Sequence, residues 1–192
     1  MSVVSIAEAW PAPGKPFTVA ELDRMPDDGH RYELLDGALL VSPRPNNSHQ
    51  EVAAELLGPL RAACPAGLRA LPEPAVQLSR DTEFAPDLVV IRQDQLTERR
   101  VTRPPLLTVE IQSSSSALFD LSTKKAVYER FSIPSYWVVV PDVDQPELIA
   151  FALRDGRYQQ VAHVTGGKPF RAERPFPVEV VPARLVAGLL PG

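Results

Sequence analysis

The chain has 192 residues, 44% hydrophobic and 23% charged, with a net charge of 20 minus 24, or −4. That composition is ordinary for a globular protein and excludes a disordered chain. It also lacks the strong basic excess that advertises a nucleic-acid partner.

No apolar run approaches the roughly 20 residues of a membrane helix, so no membrane partner is expected. Residues 1–16 show neither the basic start nor the apolar core of a secretion signal, and the default expectation is a cytoplasmic location. They contain Pro11, Pro13, Gly14 and Pro16 and are expected to form a flexible N-terminal arm ahead of a single domain over 17–192. Thr18 with Glu21 is a capping-box spacing and predicts a short helix to about Met25. Two apolar runs around Asp36-Gly37 predict a β-hairpin. Ser48 with Glu51 predicts a second capping box opening a helix through about Ala63, with Val52, Leu56, Leu57 and Leu60 at helical spacing. Pro65 ends it. The single cysteine, Cys64, falls there as a small boundary residue and excludes an internal disulfide or a cysteine-based zinc site.

Residues 68–78 read as extended, with Pro72 and Pro74 pointing to an edge or a bulge. Residues 87–91 form a nearly continuous apolar strand, and 93–105 a polar surface connection. Leu106 to Gln112 is another strand. The four serines from Ser113 to Ser116 lead into a helix from about Leu118 to Phe131. A strand from Tyr136 to Val140 follows, then a hairpin around Asp155-Gly156. A short strand near Val178 and a weak helix near Leu185 close the chain. This order predicts an α/β or α+β fold, with helices packed on a sheet.

Alternation along the Leu106–Gln112 strand puts Leu107, Val109 and Ile111 on one face and Thr108, Glu110 and Gln112 on the other. A carboxylate there is either on a solvent-facing edge or paired at a site. If the neighbouring strand that opens at Asp87 lies alongside, the two acids stand together. Two carboxylates suit Mg²⁺, which keeps waters and phosphate oxygens as its remaining ligands. Lysines are scarce in this chain: Lys15, Lys124, Lys125 and Lys168 against sixteen arginines. Asp120, Lys124 and Tyr128 fall on one helical stripe. Spacing alone leaves the choice between Lys124 and Lys125 open. Histidines at 30, 49 and 163 show no zinc-ligand spacing, and no P-loop, GxGxxG or GxSxG motif is present.

Pro86-Asp87 followed by Glu110-Ile-Gln112 resembles the PD-(D/E)XK nuclease signature, without its final lysine. More specifically, the chain resembles the Uma-two family of restriction-endonuclease-like proteins from about Phe17 to Leu190. The matching stretches are 32–37, His49 at the start of a helix, 85–91, 109–116, 120–128 and 133–140. The resemblance implies a restriction-endonuclease-like core, a central mixed sheet flanked by helices, with an N-terminal helix and hairpin. It implies Asp87 and Glu110 as metal-binding acids, Glu33 as an N-terminal acid completing the site, and Lys124 as a lysine migrated onto the helix. His49, Gln112 and Tyr128 are candidates for supporting contacts. The chain departs from the family at Gln112 and Ser114, at Ser132 where glycine is common, at Ser135, and at Val140. The implied function is a Mg²⁺-dependent endonuclease acting on DNA, with Mn²⁺ as a substitute and a homodimer as the assembly. The rival readings are a nuclease-fold module that binds nucleic acid or protein without catalysis, and a hydrolase of a smaller phosphorylated substrate.

Overall fold

A computed structural model describes residues 15–113 and 119–189. Most of the predicted N-terminal arm, the serines at 114–116 and the predicted helix start at Leu118 lie outside the described residues. The fold is mixed α and β, built on a six-stranded sheet.

Helix α1 (Val19–Leu22) is followed by strands β1 (His30–Leu35) and β2 (Ala38–Pro43), then helix α2 (Asn47–Ala63). Strands β3 (Leu68–Pro72), β4 (Val76–Gln77), β5 (Glu83–Phe84), β6 (Leu88–Arg92) and β7 (Leu107–Ile111) come next. A π-helical turn (Phe119–Lys124) runs into α3 (Lys125–Arg130), and β8 (Ser135–Val140), β9 (Glu147–Arg154) and β10 (Arg157–Thr165) follow. The chain closes with β11 (Phe170–Ala172), β12 (Val178–Val180) and α4 (Pro182–Leu185).

The large sheet has the order β10-β9-β8-β7-β6-β3, and a second sheet has the order β2-β1-β5-β4. Only β7 and β8 pair in parallel within the large sheet. A parallel pair needs a long crossover, and the segment carrying α3 supplies it. The β1–β2 turn uses Asp36 at φ 47 and Gly37 at φ 81. Two successive positive φ values are what a two-residue hairpin turn demands, and they explain the Asp-Gly pair.

Both faces of the large sheet are covered. Leu107, Val109 and Ile111 pack with Val52, Leu56 and Leu60 of α2 and with Trp137 and Val139 of β8. On the opposite face, Tyr136 and Val138 pack with Phe84, Tyr128, Phe151 and Tyr158. Two covered faces account for the continuous apolar runs of β6 and β8, since a half-exposed strand would alternate.

Several boundaries differ from the sequence reading. Asn46, not Ser48, caps α2: its side chain accepts a hydrogen bond from the His49 backbone N–H at 2.9 Å. Asn and Ser cap equally well, so spacing alone did not choose between them. The predicted continuous helix before β8 begins as a π-turn. The extended run at 68–78 divides, with β3 on the edge of the large sheet and β4 in the smaller one. Strands β4, β5 and β11 are too short to show periodicity. Ser132, where the family's glycine is common, has φ 57, a conformation glycine adopts at less cost. No helix among the described residues is long and apolar enough to cross a membrane.

Candidate active site

The β6–β7 register pairs Leu88 with Val109 in antiparallel fashion. One step further places Asp87 opposite Glu110, at the mouth of the large sheet. Alternation turns Glu110 away from the α2 face, toward α3 and β1. The edge-strand alternative is thereby excluded, because Glu110 is only 2% exposed.

Each acid is held by several donors. Lys124 Nζ donates to Glu110 Oε2 at 2.8 Å, and the Tyr128 hydroxyl donates to Glu110 Oε1 at 2.6 Å. These two residues share the helical stripe read from the sequence. The Asp120 side chain, its third predicted member, lies outside the described residues. Lys125 takes another direction: its Nζ lies 4.2 Å from the centre of the Phe151 ring. Lys124 is therefore the lysine that meets the acids. Its Nζ is also 4.0 Å from Glu33 Oε1.

Asp87 is fixed differently. Its Oδ2 accepts from the Ile111 backbone N–H at 2.7 Å and stands 3.2 Å from His49 Nε2. His49 Nε2 also lies 3.0 Å from the Ile111 carbonyl oxygen. The Asn46 cap thus directs the first turn of α2, and with it the imidazole, onto the sheet end. Asp87 Oδ1 is buried and has no hydrogen-bond partner; Arg31 Nη1 faces it at 3.5 Å.

Arg31 and Glu33 alternate onto one face of β1 and clamp the peptide leading to Asp87. Arg31 donates to the Ala85 carbonyl at 3.3 Å, while Glu33 accepts from the Ala85 N–H at 2.8 Å. Glu73 anchors the other end of the Arg31 guanidinium. Sequence reasoning missed Arg31. The available signal was its i, i+2 relation to Glu33 within a strand.

The electrostatics follow from these contacts. Burial pushes the Asp87 carboxyl upward, but His49, the Ile111 N–H and the Lys124 charge outweigh it and hold the group below its ordinary value. Burial alone would lower the His49 pKa; the hydrogen bond and charge of Asp87 raise it above the usual value. Burial and then the Glu110 charge keep the Tyr128 hydroxyl protonated. Arg31 is favoured as a cation because the charges of Asp87, Glu33, Glu73 and Glu110 outweigh its desolvation.

Arg31, Glu33, His49, Asp87, Glu110 and Lys124 line a cavity of about 990 Å³, which also receives Gln112, Ser113 and residues of β2. Among the described residues, no three His, Cys, Asp or Glu side chains form a ready-made metal cage. Two hard carboxylates, one with a buried oxygen lacking a hydrogen bond, nevertheless fit Mg²⁺, which takes one or two carboxylates and retains waters.

Residues 19–186 match the Uma2 family model, described as "Putative restriction endonuclease". A solved structure from Anabaena variabilis ATCC 29413, described as "a putative nuclease belonging to DUF820", aligns with a TM-score of 0.67 at 17% identity. The alignment covers 91% of this chain and 100% of that one, which establishes a shared fold. No curated protein matches the chain. With the family model spanning most of its length, the chain belongs to the Uma2 family.

Proposed function

We propose that this protein is a metal-dependent endonuclease that hydrolyses phosphodiester bonds in DNA. The observation that carries the reading is the Lys124–Glu110 bond of 2.8 Å beside Asp87, on the wall of an accessible cavity. Two carboxylates can hold a divalent cation that activates a water, and a lysine beside them adds a fixed positive charge near that water.

Asp87 and Glu110 would hold Mg²⁺, or Mn²⁺ in its place. The chemistry supplied by the bound ion is a water of lowered pKa and neutralised charge on the phosphate. The Lys124 ammonium, held beside Glu110, would orient the attacking water. Tyr128 holds the second Glu110 oxygen and so fixes the carboxylate plane. Glu33 steadies Ala85 and faces Lys124, and therefore supports both halves of the site. His49 and Arg31 set the direction of Asp87. Gln112 stands where the usual lysine would be, and Lys124 replaces it from the helix.

The test is cleavage of supercoiled plasmid with Mg²⁺ or Mn²⁺, with a chelator control and Glu110→Ala. Metal-dependent nicking that disappears in the variant is the expected result. Cleavage that survives Glu110→Ala would sink the assignment. The net charge of −4 favours one rival, a nuclease-fold binding module without catalysis. That rival predicts salt-sensitive DNA binding with no cleavage under either metal. A homodimer is the proposed assembly, and light scattering that shows only monomer would exclude it.

A further inference from the structure

We infer that the site takes an unpaired nucleic-acid strand, with its bases against the β2 wall, rather than an intact duplex. This rests on the nuclease reading above and specifies the form of its substrate.

The first observation is depth. The side chains of Asp87, Glu110 and Lys124 are 3%, 3% and 6% exposed. A phosphate must therefore enter the cavity, carrying its flanking nucleotides with it. The cavity, at about 990 Å³, lies at the upper end of the range for small-molecule sites. A single strand can fold into such a space one nucleotide at a time.

The second observation is the chemistry of the wall. Leu39, Val41 and Pro43 of β2 line the cavity, and Val41 is 53% exposed. β2 is an edge strand of its sheet. A phosphate backbone laid along these side chains would lose hydration without gaining partners. The faces of nucleobases are apolar and suit the wall. In a duplex those faces are hidden by stacking, and in a single strand they are available.

The third observation is charge. The Lys and Arg residues lining the cavity are Arg31, Arg44 and Lys124. Arg31 and Lys124 are held by the buried acids Asp87 and Glu110, whereas Arg44 meets Asp27 only in an exposed pair and stays able to meet a phosphate. Duplex binding draws its affinity from many phosphate contacts along two backbones. This wall offers few.

The experiment compares one labelled sequence as single strand, as blunt duplex and as duplex with an unpaired tail. Binding is read by fluorescence anisotropy with Ca²⁺ in place of Mg²⁺, and cleavage is read separately with Mg²⁺ or Mn²⁺. The expectation is that the single strand and the tailed duplex bind about tenfold more tightly than the blunt duplex. Val41→Ser, an exposed change that adds no charge and carries little risk to folding, should weaken single-strand binding several-fold and weaken duplex binding less. Equal or tighter binding of the blunt duplex, with cleavage of it, would overturn this inference and leave the nuclease reading standing. Neither binding nor cleavage of any form would remove the nuclease reading and this inference with it.

Discussion

Among the described residues, buried carboxylates face cations in two separate places. One gathers Glu33, Asp87 and Glu110 around Lys124 and Arg31. The other places Glu83 of β5 against Arg100, which also reaches Asp23 just after α1. Glu83 is 7% exposed and Glu33 6%, so burial does not separate them. Their partners do. Asp87 and Glu110 each receive at least two donors, whereas Glu83 Oε2 lies 3.3 Å from Arg100 Nε without an aligned hydrogen bond. Glu83 does not line the cavity beside Glu110. It ties the connection between β6 and β7 to the smaller sheet. A buried carboxylate is thus evidence for chemistry only when ordered donors and an open cavity accompany it.

The largest effect should separate the clusters outright. Glu110→Ala leaves the Lys124 ammonium and Tyr128 hydroxyl facing each other without their acceptor. We expect cleavage to fall by about 10²-fold or more, and stability to fall by about 3–5 kcal/mol, as for any buried pair that loses one partner. Glu110→Gln keeps the volume and isolates the charge. Glu83→Gln should leave cleavage intact. Plasmid nicking alongside urea unfolding reads both quantities. Similar loss of cleavage in Glu110→Gln and Glu83→Gln would erase the distinction.

A second contrast lies within the catalytic cluster. Lys124→Ala should abolish turnover while leaving Mn²⁺ affinity nearly unchanged by calorimetry. Lys125→Ala removes the contact over Phe151 and the charge that Lys125 presents to Glu129, neither of which touches the acids, and should cost stability by about 1 kcal/mol. Equal losses of turnover in the two variants would place the wrong helix face at the acids.

Glu33 gives a finer division. If it acts by accepting the Ala85 N–H, Glu33→Gln retains an acceptor and should keep metal affinity, whereas Glu33→Ala should weaken it. Equal weakening in both would mean that the negative charge itself matters, as it does for a direct ligand.

Much of this arrangement was legible in the sequence because strand alternation is local. It separated Glu110 from Val109 and Ile111 correctly. It could not show that both faces are covered, since Phe84 and Tyr158, which cover the second face, are remote in the chain. Helical spacing placed Lys124 and Tyr128 on one stripe, but the direction of that stripe depends on how α3 packs. Arg31 went unread because one arginine in a strand resembles any other until Asp87 is brought opposite it. The cap at Asn46 was hidden by an equally good Ser48–Glu51 spacing two residues later.

The smallest effect concerns pH and uses the structural cluster as its own control. Burial raises the Glu83 carboxyl above its ordinary value of 4.5, and Arg100 offsets this only in part. Between the ordinary and the raised values, the folded state binds more protons than the unfolded state. Stability from this group therefore falls as pH rises through that window. Below 4.5 both states are protonated and the contribution is flat. Above the folded value the penalty is complete. Glu83→Gln cannot ionise, so it carries no such penalty. Its stability relative to the unaltered protein should rise as pH is raised from the acid side toward neutrality. Denaturation curves collected across that range measure the difference directly. A difference that stays flat or falls would show that Arg100 compensates Glu83 fully, and the two clusters would then differ only in their access to the cavity.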